Sequence, residues 1–275
     1  MSSREDEVLA QAAVTALTGQ LALAPKPGLP DPRDLDARES RMDHGMLRWS
    51  AKALAPGLAA MAAAARRTGE PTPGLRTELG AIGRCTEHSV HLAGGGHRGA
   101  LWALGLLVAA AALDPRAGAR DVAAAAKRIA AHTDRRAPRR PSRGSSVSAK
   151  YGAAGARGEA RAGFPHVRRA LDTLTRARAS GATEAQARLD ALLTVMSTLQ
   201  DTELLYTAGP MGLRHVQAGA RTVLESGGTA TETGAKALAS LDADLHARAW
   251  SPRGSAGLLA GALFLDSIPV LVPAA

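Results

Sequence analysis

Residues 100–113 read ALWALGLLVAAAAL, and this stretch decides the fold class. It is the longest uncharged apolar run in the chain. A helix needs roughly 20 apolar residues to cross a bilayer, so this run is too short to span one. It predicts a buried helix inside a globular protein, and no membrane contact.

Helical patterns continue from this stretch toward both ends of the chain. The sequence is rich in alanine, which favours helices, and poor in the β-branched residues that favour strands. No segment alternates apolar and polar residues for long enough to predict a strand. We expect helices at about 3–23, 43–67, 75–92, 100–113, 120–132, 166–179, 183–200, 213–226, 233–249 and 254–267.

These patterns predict one all-α domain over residues 1–275, a bundle of about ten helices with Gly/Pro-rich active-site loops. Ser3 and Thr183 have the spacing of capping boxes, so each is expected to begin a helix. Residues 134–148 are rich in Arg, Pro and Ser. We expect this segment to form a flexible loop.

The charge of the chain bears on its partners. A net charge of +9 and a pI of about 10.7 imply nucleic acid, a membrane surface or phosphorylated small molecules, although a solvated surface without a partner fits equally well. Aromatic residues are only 3% and the arginines are scattered, which argues against nucleic acid. The one cysteine, Cys85, and the polar N-terminus without a signal-peptide pattern predict a cytoplasmic protein.

Three loops contain residue types suited to phosphate chemistry. Lys26 lies between two prolines, His97 and Arg98 follow a run of glycines, and Arg157 and Glu159 lie in a third, Gly-rich segment. A Gly-rich turn before a helix presents free N–H groups and the positive end of the helix dipole. For each loop, an ordinary turn between two helices is the competing interpretation.

Carboxylates gathered from different helices of a bundle can bind Mg²⁺. Each one taken singly fits a helix cap or a solvated side chain better. His88 and His91 lie three residues apart, but no third ligand has a matching spacing, and we predict no zinc site. The candidate carboxylates are Asp43, Asp201, Asp242 and Asp244.

Six segments, in order along the chain, together resemble the triphosphoribosyl-dephospho-CoA synthase family. Two runs within them, HRGA at 97–100 and LLY at 204–206, look more like its malonate decarboxylase branch. The six segments extend over nearly the whole chain. They are 25–29 (PKPGL), 42–43 (MD), 97–107 (HRGALWALGLL), 151–165 with its GARGEA and GFP runs, 200–206 (QDTELLY) and 251–260 (SPRGSAGLLA).

The resemblance implies an enzyme in which the 2′-hydroxyl of 3′-dephospho-CoA attacks C1 of the ATP ribose. Adenine leaves, the triphosphate stays on the product, and the product is the prosthetic-group precursor for malonate decarboxylase and its acyl carrier protein. The partners implied are ATP, 3′-dephospho-CoA and Mg²⁺. The catalytic residues would be Asp43, His97, Glu159 and Asp201, with His97 as the acid and with Asp43 and Asp201 as Mg²⁺ ligands. Nucleotides would be bound by Lys26, Gly28, Arg98, Gly99, Arg157, Gly158, Ser251, Gly254 and Ser255.

Several polar positions of the family motifs hold other residues here. Gly95 and Gly96 stand where the family has Asn-Thr, Arg143 stands for a His, and Gly257 stands for an Asp. A catalytically weakened or inactive relative that binds nucleotide or a partner protein is therefore the alternative hypothesis. Nucleic-acid binding, suggested by the charge, is the third.

Overall fold

The computed structural model describes residues 2–33, 38–92, 96–137 and 142–271, without the side chains of 38–43, 143 and 269–271. In these ranges the chain forms fourteen helices and no strand, which confirms the all-α prediction. The helices are α1 (Arg4–Leu21), α2 (Arg38–Lys52), α3 (Ala55–Thr68), α4 (Pro73–Leu92), α5 (Arg98–Leu113), α6 (Ala119–Ala131), α7 (Arg143–Tyr151), α8 (Gly155–Arg161), α9 (Pro165–Ala179), α10 (Glu184–Met196), α11 (Thr202–Thr207), α12 (Gly209–Glu225), α13 (Glu232–Ala247) and α14 (Arg253–Leu271).

Helix α5 lies at the centre of the bundle. Every residue from 103 to 112 is buried, because α3, α6 and α14 pack around the helix. A helix that is apolar on all sides needs such cover, so the stretch that decides the fold class also organises the core. Helix α1 packs on α3 and α14, two of the helices that surround α5. Within the described ranges, no helix is both long and apolar enough to cross a membrane.

The predicted helix starts are confirmed at two caps, and one predicted helix is divided. Ser3 and Thr183 each form the expected capping box. The prediction of one helix over 43–67 is wrong, because α2 ends at Lys52 and a separate helix, α3, begins at Ala55. Pro56 lies in the first turn of α3, where its missing N–H leaves no hydrogen bond unmade.

Three short helices raise the count above the ten expected. Helices α7, α8 and α11 have 9, 7 and 6 residues, which is too short for a periodic pattern to stand out in the sequence. Residues 209–212, expected to separate two helices, instead form the first turn of α12.

The flexible loop expected at 134–148 is wrong for most of the described part of that segment. Asp134 holds a turn by accepting the N–H of Arg136 at 2.9 Å and the Arg84 guanidinium at 2.6 Å. Ser142 then caps α7 through a capping box, and Val147 of that helix is buried. The polar composition of this segment therefore gave no indication of the Ser142 cap or of the buried Val147. Residues 138–141 lie outside the described ranges.

Candidate active site

The first turns of α5 and α14 meet at Gly257. A Cβ at that position would lie 3.2 Å from the backbone nitrogen of Ala100, so a side chain would push the two helices apart. The N–H groups at the start of α5 and the positive end of its dipole can stabilise an anionic ligand. At the start of α14, the N–H groups of Arg253 and Ser255 already donate to the carbonyl oxygens of Ser251 and Pro252. We call residues 97–101 and 251–257 the α5–α14 junction.

Asp201 fixes the start of α14 from a different part of the chain. Its Oδ2 accepts the N–H of Ser255 at 3.0 Å and the Ser255 hydroxyl at 3.3 Å, and its Oδ1 accepts the N–H of Glu203 at 3.0 Å. A Cβ on Gly254 would lie 2.9 Å from Oδ2. Burial raises the pKa of Asp201 above its ordinary value, although these hydrogen bonds oppose the change. The carboxylate thus caps two helices and unites three predicted site residues.

The Lys26 loop, residues 25–29, contacts the segment that leads into α14. Gly28 has φ of +64°, and a Cβ there would lie 2.1 Å from the carbonyl oxygen of Trp250. The hydroxyl of the next residue, Ser251, is buried and has no hydrogen-bond partner among the described residues. Packing therefore accounts for the glycine at position 28. Its loop nevertheless lies beside the residues expected to bind nucleotide.

Lys26 itself is only 1% exposed. Its backbone N–H donates to Asp31 Oδ2 at 2.9 Å, and its Nζ lies 3.5 Å from Gln20 Oε1. The interpretation of an ordinary turn with an exposed lysine is therefore wrong. The predicted contact of Lys26 with phosphate is also not available in this conformation, because a buried ammonium is surrounded by protein groups.

His97 is the N-cap residue of α5 and is 7% exposed. Its Nε2 lies 2.8 Å from the carbonyl oxygen of Leu47 and 3.0 Å from the hydroxyl of Ser50. Nε2 therefore carries a proton, which it donates to the carbonyl. Burial lowers the pKa of His97 below its ordinary value, although the bond to Leu47 opposes this. A neutral ring with Nε2 engaged leaves Nδ1 as an acceptor, which suits a base better than the acid that the resemblance implies.

A cavity of about 120 Å³ lies beside His97. Arg98 is 68% exposed on its side chain, and its Nε lies 3.2 Å from Glu87 Oε1. Gly99 follows directly, and its carbonyl carbon would lie 3.6 Å from a Cβ on Gly257. Arg98 and Gly99, both predicted to bind nucleotide, therefore lie at the α5–α14 junction. Among the described residues the cavity is lined by Leu54, Glu87, Val90, His91, Gly96, His97, Arg98 and Leu101.

Helix α8 contacts α5 and the start of α11. The indole N–H of Trp102 donates to the carbonyl oxygen of Ala156 at 3.2 Å. Gly155 lies against the start of α11, where a Cβ at that position would be 3.5 Å from Thr202 Cγ2. The Gly-rich segment is therefore held next to Asp201 and to the first turns of α5.

Glu159 of α8 binds His166, a residue that the sequence analysis did not identify. Glu159 Oε2 lies 2.6 Å from His166 Nδ1, and Oε1 accepts the backbone N–H of His166 at 2.8 Å. Nδ1 therefore donates to the carboxylate, and Nε2 is buried with no hydrogen-bond partner among the described residues. The available indication was the position of His166, directly after the Pro165 that opens α9.

Two further residues of α8, Arg157 and Gly158, were predicted to bind nucleotide. Arg157 is exposed, as a phosphate contact requires. Gly158 donates its N–H to the carbonyl oxygen of Ala154 and so belongs to the helix backbone. Nothing in its surroundings distinguishes it as a ligand contact.

The described side chains do not fit the predicted Mg²⁺ site. Asp43 lies on α2, but its side chain is outside the described part of the chain. Asp201 already accepts three hydrogen bonds. Across the described residues, no three His, Cys, Asp or Glu side chains form a group that could hold a metal. The other two candidates, Asp242 and Asp244, pair with arginines.

Four of the six segments that carry the family resemblance are therefore joined by contacts. Segment 251–260 touches both 97–107 and 200–206, and segment 151–165 touches the same two. A fifth segment, 25–29, contacts Trp250, which directly precedes segment 251–260. The sixth, 42–43, has no described side chains.

A family described as CitG, ATP:dephospho-CoA triphosphoribosyl transferase, matches residues 6–274. The chain belongs to this family. The resemblance drawn from the six segments is thus confirmed, and so is the prediction of an enzyme of the transferase class.

Relatives of similar length support the same family. A protein of Pseudomonas fluorescens is 48% identical over 267 residues, covering 95% of this chain and 91% of its own. One from Stutzerimonas stutzeri is 46% identical over 274 residues, covering 98% and 93%. One from Pseudomonas aeruginosa is 48% identical over 270 residues, covering 96% and 92%. Each is named a probable 2-(5''-triphosphoribosyl)-3'-dephosphocoenzyme-A synthase. No solved structure matches the chain.

Proposed function

We propose that this chain transfers the 5-triphosphoribosyl group of ATP to the 2′-hydroxyl of 3′-dephospho-CoA and releases adenine. Family membership and the names of the relatives support the reaction. The observation that carries the location is the α5–α14 junction, where two helix starts meet beside the buried carboxylate of Asp201. Both substrates carry phosphate groups, which the N–H groups at the start of α5 would stabilise.

The reaction passes through a centre like an oxocarbenium ion at C1 of the ribose. Positive charge that develops there is stabilised by nearby carboxylates, and we assign this role to Glu159. His97 Nδ1, a neutral acceptor, would take the proton of the attacking hydroxyl. The bond from C1 to adenine would break as the new C1–O bond forms, and adenine would leave as the neutral base with a proton taken from solvent. Arg98 and Arg157 are exposed and would contact phosphate.

Substrate binding at His97 requires a rearrangement at the cavity mouth. The cavity of about 120 Å³ is smaller than the ~300–1,000 Å³ of typical ligand sites. Arg98 and Glu87 form an ion pair on the exposed side of this cavity. When substrate binds, the Arg98 guanidinium would leave Glu87 and contact a phosphate instead. Mg²⁺ would accompany the triphosphate, and we derive no step through it because Asp201 is already engaged.

We place the product in the pathway to malonate decarboxylase, as its prosthetic-group precursor. The wording of HRGA at 97–100 and of LLY at 204–206 supports this branch over citrate lyase. A cytoplasmic location accords with the single cysteine, Cys85, which is exposed and unpaired.

The test is release of adenine by purified protein with Mg²⁺. We expect release only when ATP and 3′-dephospho-CoA are both present. Absence of adenine above background would overturn the proposal. The glycine at position 257, packed on the Ala100 backbone where the family has an acid, favours the alternative of a relative that binds nucleotide without turnover. Calorimetry that detects ATP binding by a protein without turnover would support that alternative.

A further inference from the structure

Four arginines gather where α4, the end of α6 and α8 pack together. The guanidinium of Arg76, on α4, lies over the Trp102 ring, 4.5 Å from the ring centroid. The indole N–H of Trp102 donates to the carbonyl oxygen of Ala156, which brings the first turn of α8 to the same place. We call the guanidinium groups of Arg76, Arg84, Arg157 and Arg161 the Arg76 cluster.

Arg76 is a buried cation without a hydrogen-bonded anion. It is 5% exposed, and its Nη1 has no hydrogen-bond partner among the described residues. Asp134 Oδ2 lies 3.9 Å from Nη1, which is beyond hydrogen-bond distance. An arginine stays protonated inside a protein, so burial does not remove its charge. A buried charge of this kind costs free energy unless an anion compensates it.

The carboxylate of Asp134 is already engaged by other groups. Its Oδ2 accepts Arg84 Nη1 at 2.6 Å, and its Oδ1 accepts the backbone N–H of Arg136 at 2.9 Å. Within the described part of the chain, neither Arg157 nor Arg161 forms an ion pair with a carboxylate. One carboxylate therefore stands against four guanidinium groups, and the cluster keeps an excess of positive charge.

Electrostatic effects on Arg76 show that the four groups act on one another. Burial lowers the pKa of Arg76 below its ordinary value, and the charge of Asp134 opposes this change. The charges of Arg157, Arg84 and Arg161 lower the pKa of Arg76 further, because like charges at short range repel. An anion bound among the four groups would relieve this repulsion.

Three members of the cluster are accessible to a ligand. Arg157 and Arg161 are exposed and lie one turn apart, on the same side of α8. The side chain of Arg84 is 32% exposed. Arg161 donates its Nε–H to the carbonyl oxygen of Ala130 at 3.2 Å, which positions the side chain while its Nη groups remain for a ligand. Guanidinium groups bind phosphate oxygens through paired N–H bonds. Arg76 needs no contact with the ligand, because its buried charge attracts an anion through the protein interior.

The cluster lies near the residues already assigned to nucleotide binding. Trp102 follows Arg98 by one turn of α5, so both side chains leave the same side of that helix. We infer that the Arg76 cluster binds the phosphate chain of a substrate nucleotide. The inference rests on the proposed function, in which the triphosphate of ATP and the diphosphate of 3′-dephospho-CoA share this chemistry.

The test removes one exposed charge of the cluster. Arg161→Gln is compared with Arg169→Gln, because Arg169 is also exposed and also donates its Nε–H to a backbone carbonyl oxygen, that of Pro165. With inorganic tripolyphosphate as the probe in calorimetry, we expect Arg161→Gln to weaken binding about tenfold and Arg169→Gln to change it less than about twofold. Equal effects of the two substitutions, or no binding by the wild type, overturn the inference.

Steady-state kinetics of adenine release distinguishes the two sources of phosphate. A raised KM for ATP in Arg161→Gln assigns the cluster to the triphosphate, and a raised KM for 3′-dephospho-CoA assigns it to the diphosphate. Normal release with both KM values unchanged overturns the inference and leaves the reaction standing. A wild type that releases no adenine, but loses tripolyphosphate binding through Arg161→Gln, overturns the reaction and leaves the phosphate site standing.

Discussion

The carbonyl oxygen of Trp250 occupies the space that a Cβ on residue 28 would take, at 2.1 Å from that position. This contact joins the Lys26 loop to the segment that opens α14, although more than 200 residues separate them. It makes the glycine at 28 a requirement of packing and also of backbone conformation, since its φ is +64°.

We expect Gly28→Ala to lower the free energy of unfolding by about 2–5 kcal/mol, from the strained φ and the contact with Trp250. Gly69→Ala is the matched control, because Gly69 has φ of +76° and open space around it. That variant should lose only about 1–2 kcal/mol. Urea unfolding measures both. Equal losses in the two variants would show that the Trp250 contact contributes nothing.

Asp201→Ala removes the acceptor for N–H groups of two helices. We expect the free energy of unfolding to fall by about 2–4 kcal/mol, because the N–H of Glu203 loses this acceptor and the N–H of Ser255 keeps only the carbonyl oxygen of Pro252, at 3.1 Å. Ser255→Ala removes only the longer hydroxyl bond and should lose under about 1.5 kcal/mol. Denaturant titration of both variants checks this. A larger loss for Ser255→Ala than for Asp201→Ala would contradict the capping role.

His97→Gln should lower kcat for adenine release by about 10²- to 10⁴-fold, the usual contribution of a general base. Because burial lowers the pKa of His97 below its ordinary value, the acid limb of wild-type kcat/KM should lie at lower pH than that of an ordinary histidine. As the pH falls, the unfolded chain takes up this proton before the folded chain does, so His97 also reduces folding stability in acid solution. A pH profile of adenine release measures the limb. A limb at the pH of an ordinary histidine or above it, absent from the variant, contradicts a neutral base.

Glu159→Gln keeps an oxygen for the backbone N–H of His166 but removes the negative charge. If the carboxylate stabilises the reacting ribose, kcat should fall about 10²-fold or more while KM for ATP stays near its wild-type value. Glu184→Gln removes a surface carboxylate that pairs with Arg178 and Arg188, and should leave kcat unchanged. Initial-rate measurements of the three proteins make the comparison. An unchanged kcat in Glu159→Gln leaves Glu159 with a structural role only.

The sequence predicts the long helices well, and it does so for identifiable reasons. The 100–113 stretch has no charge to place in water, so its burial follows directly. Ser3 and Thr183 have the capping-box spacing that indicates the start of a helix, and the bonds of each box are local in sequence. The short helices α8 and α11 were not predicted because their stability comes from tertiary contacts, such as the bond from Trp102 to Ala156, that no local pattern encodes.

The motif segments named Asp201, Ser255 and Glu159, and the fold brings their segments together, while the roles of these residues stay predictions. The surroundings of other residues could not be predicted. Lys26 lies inside the protein, His97 Nε2 is engaged by the carbonyl oxygen of Leu47, and His166 pairs with Glu159. Burial depends on which helices pack on a residue, which a single sequence does not specify.

The position of α14 also bears on synthesis of the protein. Helix α14 carries Ser255 and Gly257 of the α5–α14 junction and packs against α1, which precedes it by more than 200 residues. During translation, α1 therefore lacks this partner until α14 has also left the ribosome. Messages cut short before codon 253 would yield products that lack both the site and the cover for the core, and proteolysis should remove them.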